Sequence, residues 1–268
     1  MPLYFIGLGL GNEKDITLNG LEAVKKCDSI YLDNYTSILN CKKEDLEKLY
    51  NKNIKLAGRE TVESDDNEII KSAKAKNTAF LVCGEPLAAT THIDLLLRAK
   101  KKGIKCHVLH NSSILSAVGI TGLQVYKFGK ATSIPLENEN IEAPYEALKG
   151  NLSLGLHTLF LLDLKPDEEK FVSVSDAIRY LLKIELKKSQ KIFSEKTFCI
   201  GCARIGSETE IIKYASAKVL LKQNFGNPHH CLIVPGKLHF MESEALEMYR
   251  ELCKIRINAH FANNFCRQ

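Results

Sequence analysis

Short, unbroken apolar runs that stop at glycine or at a polar turn constrain this chain most. Leu3 to Leu8 runs into Gly9 and Gly11, Thr78 to Cys83 stops at Gly84, and Ile104 to Leu109 stops at His110 and Asn111. Ser29 to Leu32 is a fourth such run. Strands buried on both faces read this way, whereas half-exposed strands alternate apolar with polar residues. Stretches of helical period lie between them. Thr17 to Lys26 puts Leu18, Leu21 and Val24 on one face, and Asn67 to Lys76 is similar. His92 to Lys102 carries Ile93, Leu96 and Leu97 and a basic tail that Gly103 ends. Helices between buried strands predict a parallel sheet covered on both faces.

The pattern changes near residue 112. Leu156 to Leu164, Thr197 to Ile205, Lys218 to Leu221 and Cys231 to Val234 read as strands, and Ser175 to Lys187 and Glu242 to Cys253 as helices. Strands and helices alternate less regularly here, so a mixed sheet is expected. The polar segment 137–151 reads as a surface connection. The expected division is an N-terminal α/β domain, 1–112, and a C-terminal α/β domain, 113–268.

With 45% hydrophobic and 26% charged residues, the chain is not of a disordered type. No apolar run reaches the 18 or so residues of a membrane span, and the N-terminus lacks the pattern of a secretory signal. A cytoplasmic protein that spans no membrane is expected, with its nine cysteines reduced. The net charge of +5 is spread out: residues 1–112 carry 17 of the 37 basic and 15 of the 32 acidic residues. This gives little support to nucleic-acid binding.

Three clusters carry the functional signal. Gly7-Leu8-Gly9-Leu10-Gly11-Asn12 follows the first strand, but the dinucleotide fingerprint GxGxxG fails, because the third glycine would fall on Asn12 or Lys14. Gly84-Glu85-Pro86 through His92 joins a strand to a helix, with Thr90 or Thr91 placed to cap it. Asn111-Ser112-Ser113-Ile114 repeats the arrangement. Each is also readable as an ordinary capped turn. Together they bring three strand ends to one edge of a parallel sheet, where ligands bind. Cys199 and Cys202 form a CxxC, but residues three apart on a strand face opposite ways, so they read as structural. Of the adjacent His229 and His230, at most one is expected to face a site. His157 sits on an apolar strand and reads as a hydrogen-bonded core histidine.

Longer stretches carry a resemblance. LYFIGLGLGNEKDIT, GEPLAATTHIDLLLRAKKKGI, SSILSAVGITGLQVYKFGK, GLHTLFLLDLK and LIVPGKLH follow one another from residue 3 to about residue 240. In these the chain resembles the diphthine synthases, methyltransferases of diphthamide biosynthesis. The resemblance implies two α/β domains of tetrapyrrole-methylase type with S-adenosylmethionine in the cleft between them. It implies S-adenosylhomocysteine as product, no metal, and a homodimer. The implied partner is translation elongation factor 2, methylated on a histidine that bears an aminocarboxypropyl group. Carried over by position, the implied cofactor contacts are Leu10, Glu85, Ala88, Ser113, Ile114, Leu162, Ile205 and His230. Five of these fall in the three strand-end clusters.

The resemblance departs at Glu85, where the family usually has aspartate, so the carboxylate reaches one methylene further. Family members add three methyl groups to nitrogen or a fourth as a methyl ester. The stretch Leu32 to Ser37 leans toward the four-methyl type. No catalytic base is assigned; His157, Asp163 and Thr91 are candidates near the expected cleft. The alternatives are another methylase of the same fold, acting on a tetrapyrrole or an RNA ribose, and a catalytically silent cofactor-binding scaffold.

Overall fold

The computed structural model of the chain describes residues 1–64 and 67–250. Strands β1 (Pro2–Gly7), β2 (Ser29–Asp33), β3 (Lys55–Ala57), β4 (Thr78–Val82) and β5 (Lys105–Leu109) form one sheet. Its order is β3-β2-β4-β1-β5, and every pairing is parallel. Helices α1 (Leu18–Lys26), α2 (Lys43–Tyr50), α3 (Arg59–Glu63), α4 (Glu68–Ala75) and α5 (His92–Lys101) cover it. On one face Leu3, Phe5, Phe80 and Val82 pack with Val62, Ile70 and Leu95 of α3 to α5. On the other, Ile6, Ile30, Ala79 and Leu81 pack with Val24, Leu46 and Tyr50 of α1 and α2. All five residues of β2 and of β4 are buried, which is why these runs show no polar alternation. Each large apolar side chain buried there contributes roughly 1.5–3 kcal/mol.

Two helix faces differ from expectation. Leu18 is 81% exposed; Val24 is buried as expected and Leu21 partly so, and α1 adds Gly20 and Ala23 to the buried stripe. On α5 Ile93 and Leu97 are half exposed, while Leu95, Leu96 and Ala99 are buried. In both, a smaller or neighbouring residue lets the helix approach the sheet along a shifted stripe.

The second half builds a separate sheet. After the short α6 (Ile114–Ala117) come β6 (Thr132–Ile134), α7 (Ala143–Ser153), β7 (Thr158–Leu162), β8 (Leu164–Lys165), β9 (Lys170–Phe171) and α8 (Val174–Lys188). Then follow β10 (Phe198–Ala203), β11 (Ile211–Ser216), α9 (Ala217–Leu220), β12 (His230–Val234) and α10 (Phe240–Glu247). The order is β11-β10-β12-β7-β6. Only β6–β7 pairs in parallel, so the sheet is mixed. Phe160, Leu232 and Cys199 pack against α8 on one face; Leu159, Ile200 and Cys202 face the other way. The two cysteines of the CxxC thus lie on opposite faces, and the seven described cysteines form no disulfide.

Three readings are corrected. Segment 137–151 is a surface connection only as far as Glu142: the rest is in α7, which Pro144 helps to start. Tyr145 and Leu148 are fully buried, and the Tyr145 hydroxyl donates to Glu185. Lys218 to Leu221 is a helical turn, not a strand. The Ala217 and Lys218 amides donate to the Thr197 and Glu195 carbonyls, which turns the chain away from β11. The last helix spans Phe240–Glu247 and stops short of the expected Cys253: Met248 and Tyr249 form a turn and Arg250 bridges to Tyr214, while residues 251–253 lie outside the described residues. Among the described residues no helix is long and apolar enough to cross a membrane.

Candidate active site

Strands β4, β1 and β5 are neighbours, so the turns after them meet at one edge. Gly9 and Gly84 exchange backbone hydrogen bonds, with the Gly84 amide donating to the Gly9 carbonyl at 2.8 Å. Gly84 has φ +73°, a conformation glycine adopts without strain. Asn111 ties the turns together: its side-chain amide donates to the Gly7 and Asp15 carbonyls, each at 3.0 Å. Glu85 accepts the Asn111 backbone N–H at 2.9 Å and contacts His110 Nδ1 at 2.9 Å. Its longer reach therefore serves the turn after β5. A Cβ at Gly7 would lie 2.5 Å from the Gly84 carbonyl oxygen and 2.7 Å from the Asn111 Cβ. Gly7→Ala must push these turns apart, and a loss of about 1–3 kcal/mol is expected in urea unfolding.

The edge opens onto a cavity of about 220 Å³. All eight residues implied by the resemblance line it: Leu10, Glu85, Ala88, Ser113 and Ile114 from the first sheet's turns, and Leu162, Ile205 and His230 from the second sheet. Several lining positions escaped the sequence reading, Ser133, Leu161, Leu164, Arg204 and Cys231 among them on the second sheet's side. Thr36, Ser37 and Asn40 come from the connection after β2, which has no glycine to mark it, and Cys83 directly follows β4. The Asp33 carboxylate accepts the Thr36 hydroxyl, and Asn40 donates to the Leu10 carbonyl at 2.8 Å. The two sheets come close elsewhere too: a Cβ at Gly11 would lie 2.8 Å from the Gly206 carbonyl oxygen.

Residues 2–218 match the family model of the tetrapyrrole (corrin/porphyrin) methylases. A diphthine synthase of Methanococcus vannielii is 47% identical over 91% of this chain and 97% of its own length. The chain belongs to the diphthine synthases of that family. A protein of Arabidopsis thaliana, named a probable diphthine methyl ester synthase, is 45% identical over 92% of this chain and 98% of the relative. A diphthine synthase crystal structure superposes with a TM-score of 0.85 at 36% identity, covering 93% of this chain and 96% of the other.

The chain is accordingly a methyltransferase, and its cavity carries acidic groups. Asp163 and Glu85 line it. Its lining cation, Arg204, donates instead to the carbonyls of Thr209, Phe225 and Asn227. That guanidinium braces the connection before β12. Burial pulls His229 down to about 4, with His230 adding to the effect, and burial lowers His230 as well. Both imidazoles are neutral at neutral pH. Burial pushes the Cys83 thiol up to about 11, so it stays protonated and is a poor nucleophile.

The three candidate bases fare differently. Asp163 lines the cavity, although it accepts the Leu136 and Leu164 amides. His157 does not line it. It is fully buried, accepts the Gly236 amide at Nδ1 and pairs with Glu242 at Nε2, as a core histidine does. Thr91 does not line it either. It heads α5 without a side-chain cap and shares a hydrogen bond with the Tyr35 hydroxyl. The expectation that only one of His229 and His230 faces a site is corrected: both line the cavity. His229 precedes β12, where strand alternation does not apply.

Proposed function

We propose that this chain transfers methyl groups from S-adenosylmethionine to the aminocarboxypropyl-bearing histidine of elongation factor 2. In this reading it works in the cytoplasm as a homodimer of two-domain subunits, 1–112 and 113–268. Leu10, Glu85, Ala88, Ser113, Ile114, Leu162, Ile205 and His230 hold the methyl donor. The observation that carries the reading is their convergence: eight residues spread from 10 to 230 share one cavity. A second observation speaks for the fit. His230 Nε2 donates to the Asn227 carbonyl at 3.0 Å, which leaves Nδ1 a buried acceptor with no partner. A ligand N–H donor would satisfy that atom.

The donor, when bound, supplies a methyl group activated by a positive sulfur. The chain's part is alignment and exclusion of water. Leu10, Ile114, Leu162 and Ile205 give the cavity apolar walls. The neutral histidines add no positive charge beside a sulfonium, while Arg204 keeps its charge but engages N–H groups with backbone carbonyls. The accepting amine must be unprotonated, and water serves as the proton acceptor in this reading. The test is mass spectrometry of elongation factor 2 bearing the aminocarboxypropyl group, incubated with this chain and S-adenosylmethionine. A gain of three or four methyl groups on that histidine is expected, with four favoured by the stretch Leu32 to Ser37. No gain while the methyl donor still binds would overturn the substrate assignment.

A further inference from the structure

His229 is absent from the eight contacts above, yet it makes one bond that they do not. Its Nε2 accepts the Ile38 backbone N–H at 2.9 Å, across 191 positions of sequence. Ile38 lies between Ser37 and Asn40, which line the cavity from the first sheet's side. His229 itself directly precedes β12 of the second sheet, and its carbonyl is held by the Arg204 amide at 2.8 Å. The imidazole therefore ties the connection after β2 to the second sheet beside the cavity.

The same bond fixes the tautomer. A nitrogen that accepts N–H carries no proton, so in a neutral ring the proton is on Nδ1. Burial keeps the ring neutral at physiological pH. Nδ1–H has no partner among the described residues and is not fully buried. His229 lines the cavity. It is thus a fixed hydrogen-bond donor beside a space whose cation, Arg204, is engaged elsewhere.

We propose that His229 is a positioning residue with two roles: its Nε2 clasps the connection after β2 onto the second sheet, and its Nδ1–H donates to the carboxylate of an α-amino-acid group bound in the cavity. The second role rests on the methyl-transfer reading above. Two ligands of that reading end in such a group, the methyl donor and the aminocarboxypropyl side chain. Both offer the carboxylate chemistry that a lone N–H donor recognises.

Three substitutions separate the roles. His229→Gln can still accept the Ile38 N–H through its side-chain oxygen but does not reproduce the Nδ1 donor. His229→Asn reproduces the donor and withdraws from Ile38. His229→Ala loses both. Amide hydrogen exchange is read first: Ile38 should stay protected in Gln and exchange about tenfold or more faster in Asn and Ala, the loss of one hydrogen bond. Unchanged protection of Ile38 in His229→Ala would overturn the clasp.

Calorimetric titration then reads the donor. If the carboxylate is the cofactor's, His229→Gln should bind S-adenosylhomocysteine about tenfold or more weakly. It should bind 5′-methylthioadenosine, which lacks the amino-acid group, as the unsubstituted chain does, and His229→Asn should recover the difference. If the carboxylate is the acceptor's, S-adenosylhomocysteine binding stays unchanged and KM for the acceptor protein rises by a similar factor, with kcat kept. A His229→Gln chain altered in neither would overturn the donor role. Failure of the unsubstituted chain to methylate the acceptor would count instead against the function proposed above, and the exchange and titration results would stand apart from it.

Discussion

An Ala88→Trp chain is expected to bind S-adenosylmethionine at least about a hundredfold more weakly, a loss of roughly 3 kcal/mol, while melting within a few degrees of the unsubstituted protein. Ala88 lines the cavity and is only partly buried. Its backbone amide closes a turn onto the Glu85 carbonyl at 3.3 Å, and an indole side chain leaves that bond intact. Added bulk then goes into ligand space and not into a packed core, where it would strain the fold. Leu10→Trp enters the same cavity from the turn after β1 and should act alike. Calorimetric titration of both, with melting curves as the control, checks the assignment. Undiminished binding by either folded variant would remove these turns from the donor site.

How much of this site was legible in the sequence follows from where its walls come from. The turns after β1, β4 and β5 announce themselves, because close approach of three parallel strand ends requires small residues. At Gly7 even a methyl group would meet both neighbouring turns. The connection after β2 reaches the same cavity through Thr36, Ser37 and Asn40, yet uses ordinary polar residues held by Asp33 and Leu10. Nothing in its composition separates it from a surface loop. The second sheet's contribution was hidden for another reason. Leu162, Ile205 and His230 sit at strand ends of a mixed sheet, and their place depends on how two sheets meet. Only the family resemblance pointed to them. The same distance hid the clasp between Ile38 and His229. Segment 137–151 misled because its polar residues mostly precede α7 or, like Glu146 and Lys149, lie on its exposed side, while Tyr145 and Leu148 face the core.

The buried carboxylate of Glu242 should prove the most costly side chain to remove from the second sheet's surroundings. It is fully buried and accepts four hydrogen bonds: from the Gln124 amide at 2.9 Å, the His239 amide at 2.7 Å, His157 Nε2 at 2.9 Å and the Lys127 ammonium. His157 passes the contact on, since its Nδ1 accepts the Gly236 amide just after β12. Glu242→Ala would strip four donors of their acceptor and leave Lys127 without its carboxylate. A loss of about 3–5 kcal/mol is expected, seen as a melting point lower by roughly 10 °C. The pH dependence gives a separate signature. Burial alone would raise the Glu242 carboxyl, but the His239 amide, Lys127, the Gln124 amide and His157 outweigh it and hold the group down at about 2. A carboxyl lowered on folding stabilises fully above its unfolded value near 4.5, and that stability fades as pH falls from there toward 2. The amount is about 3 kcal/mol. Stability measured by urea unfolding should therefore fall steeply across this window in the unsubstituted chain and less steeply in Glu242→Ala. Glu185, also held at about 2 although burial works against it, by the Phe193, Lys191 and Ile192 amides and the Tyr145 hydroxyl, would account for part of the slope that remains. Equal slopes in the two proteins would mean that the Glu242 cluster is not what holds α10 and the β7 start together in acid.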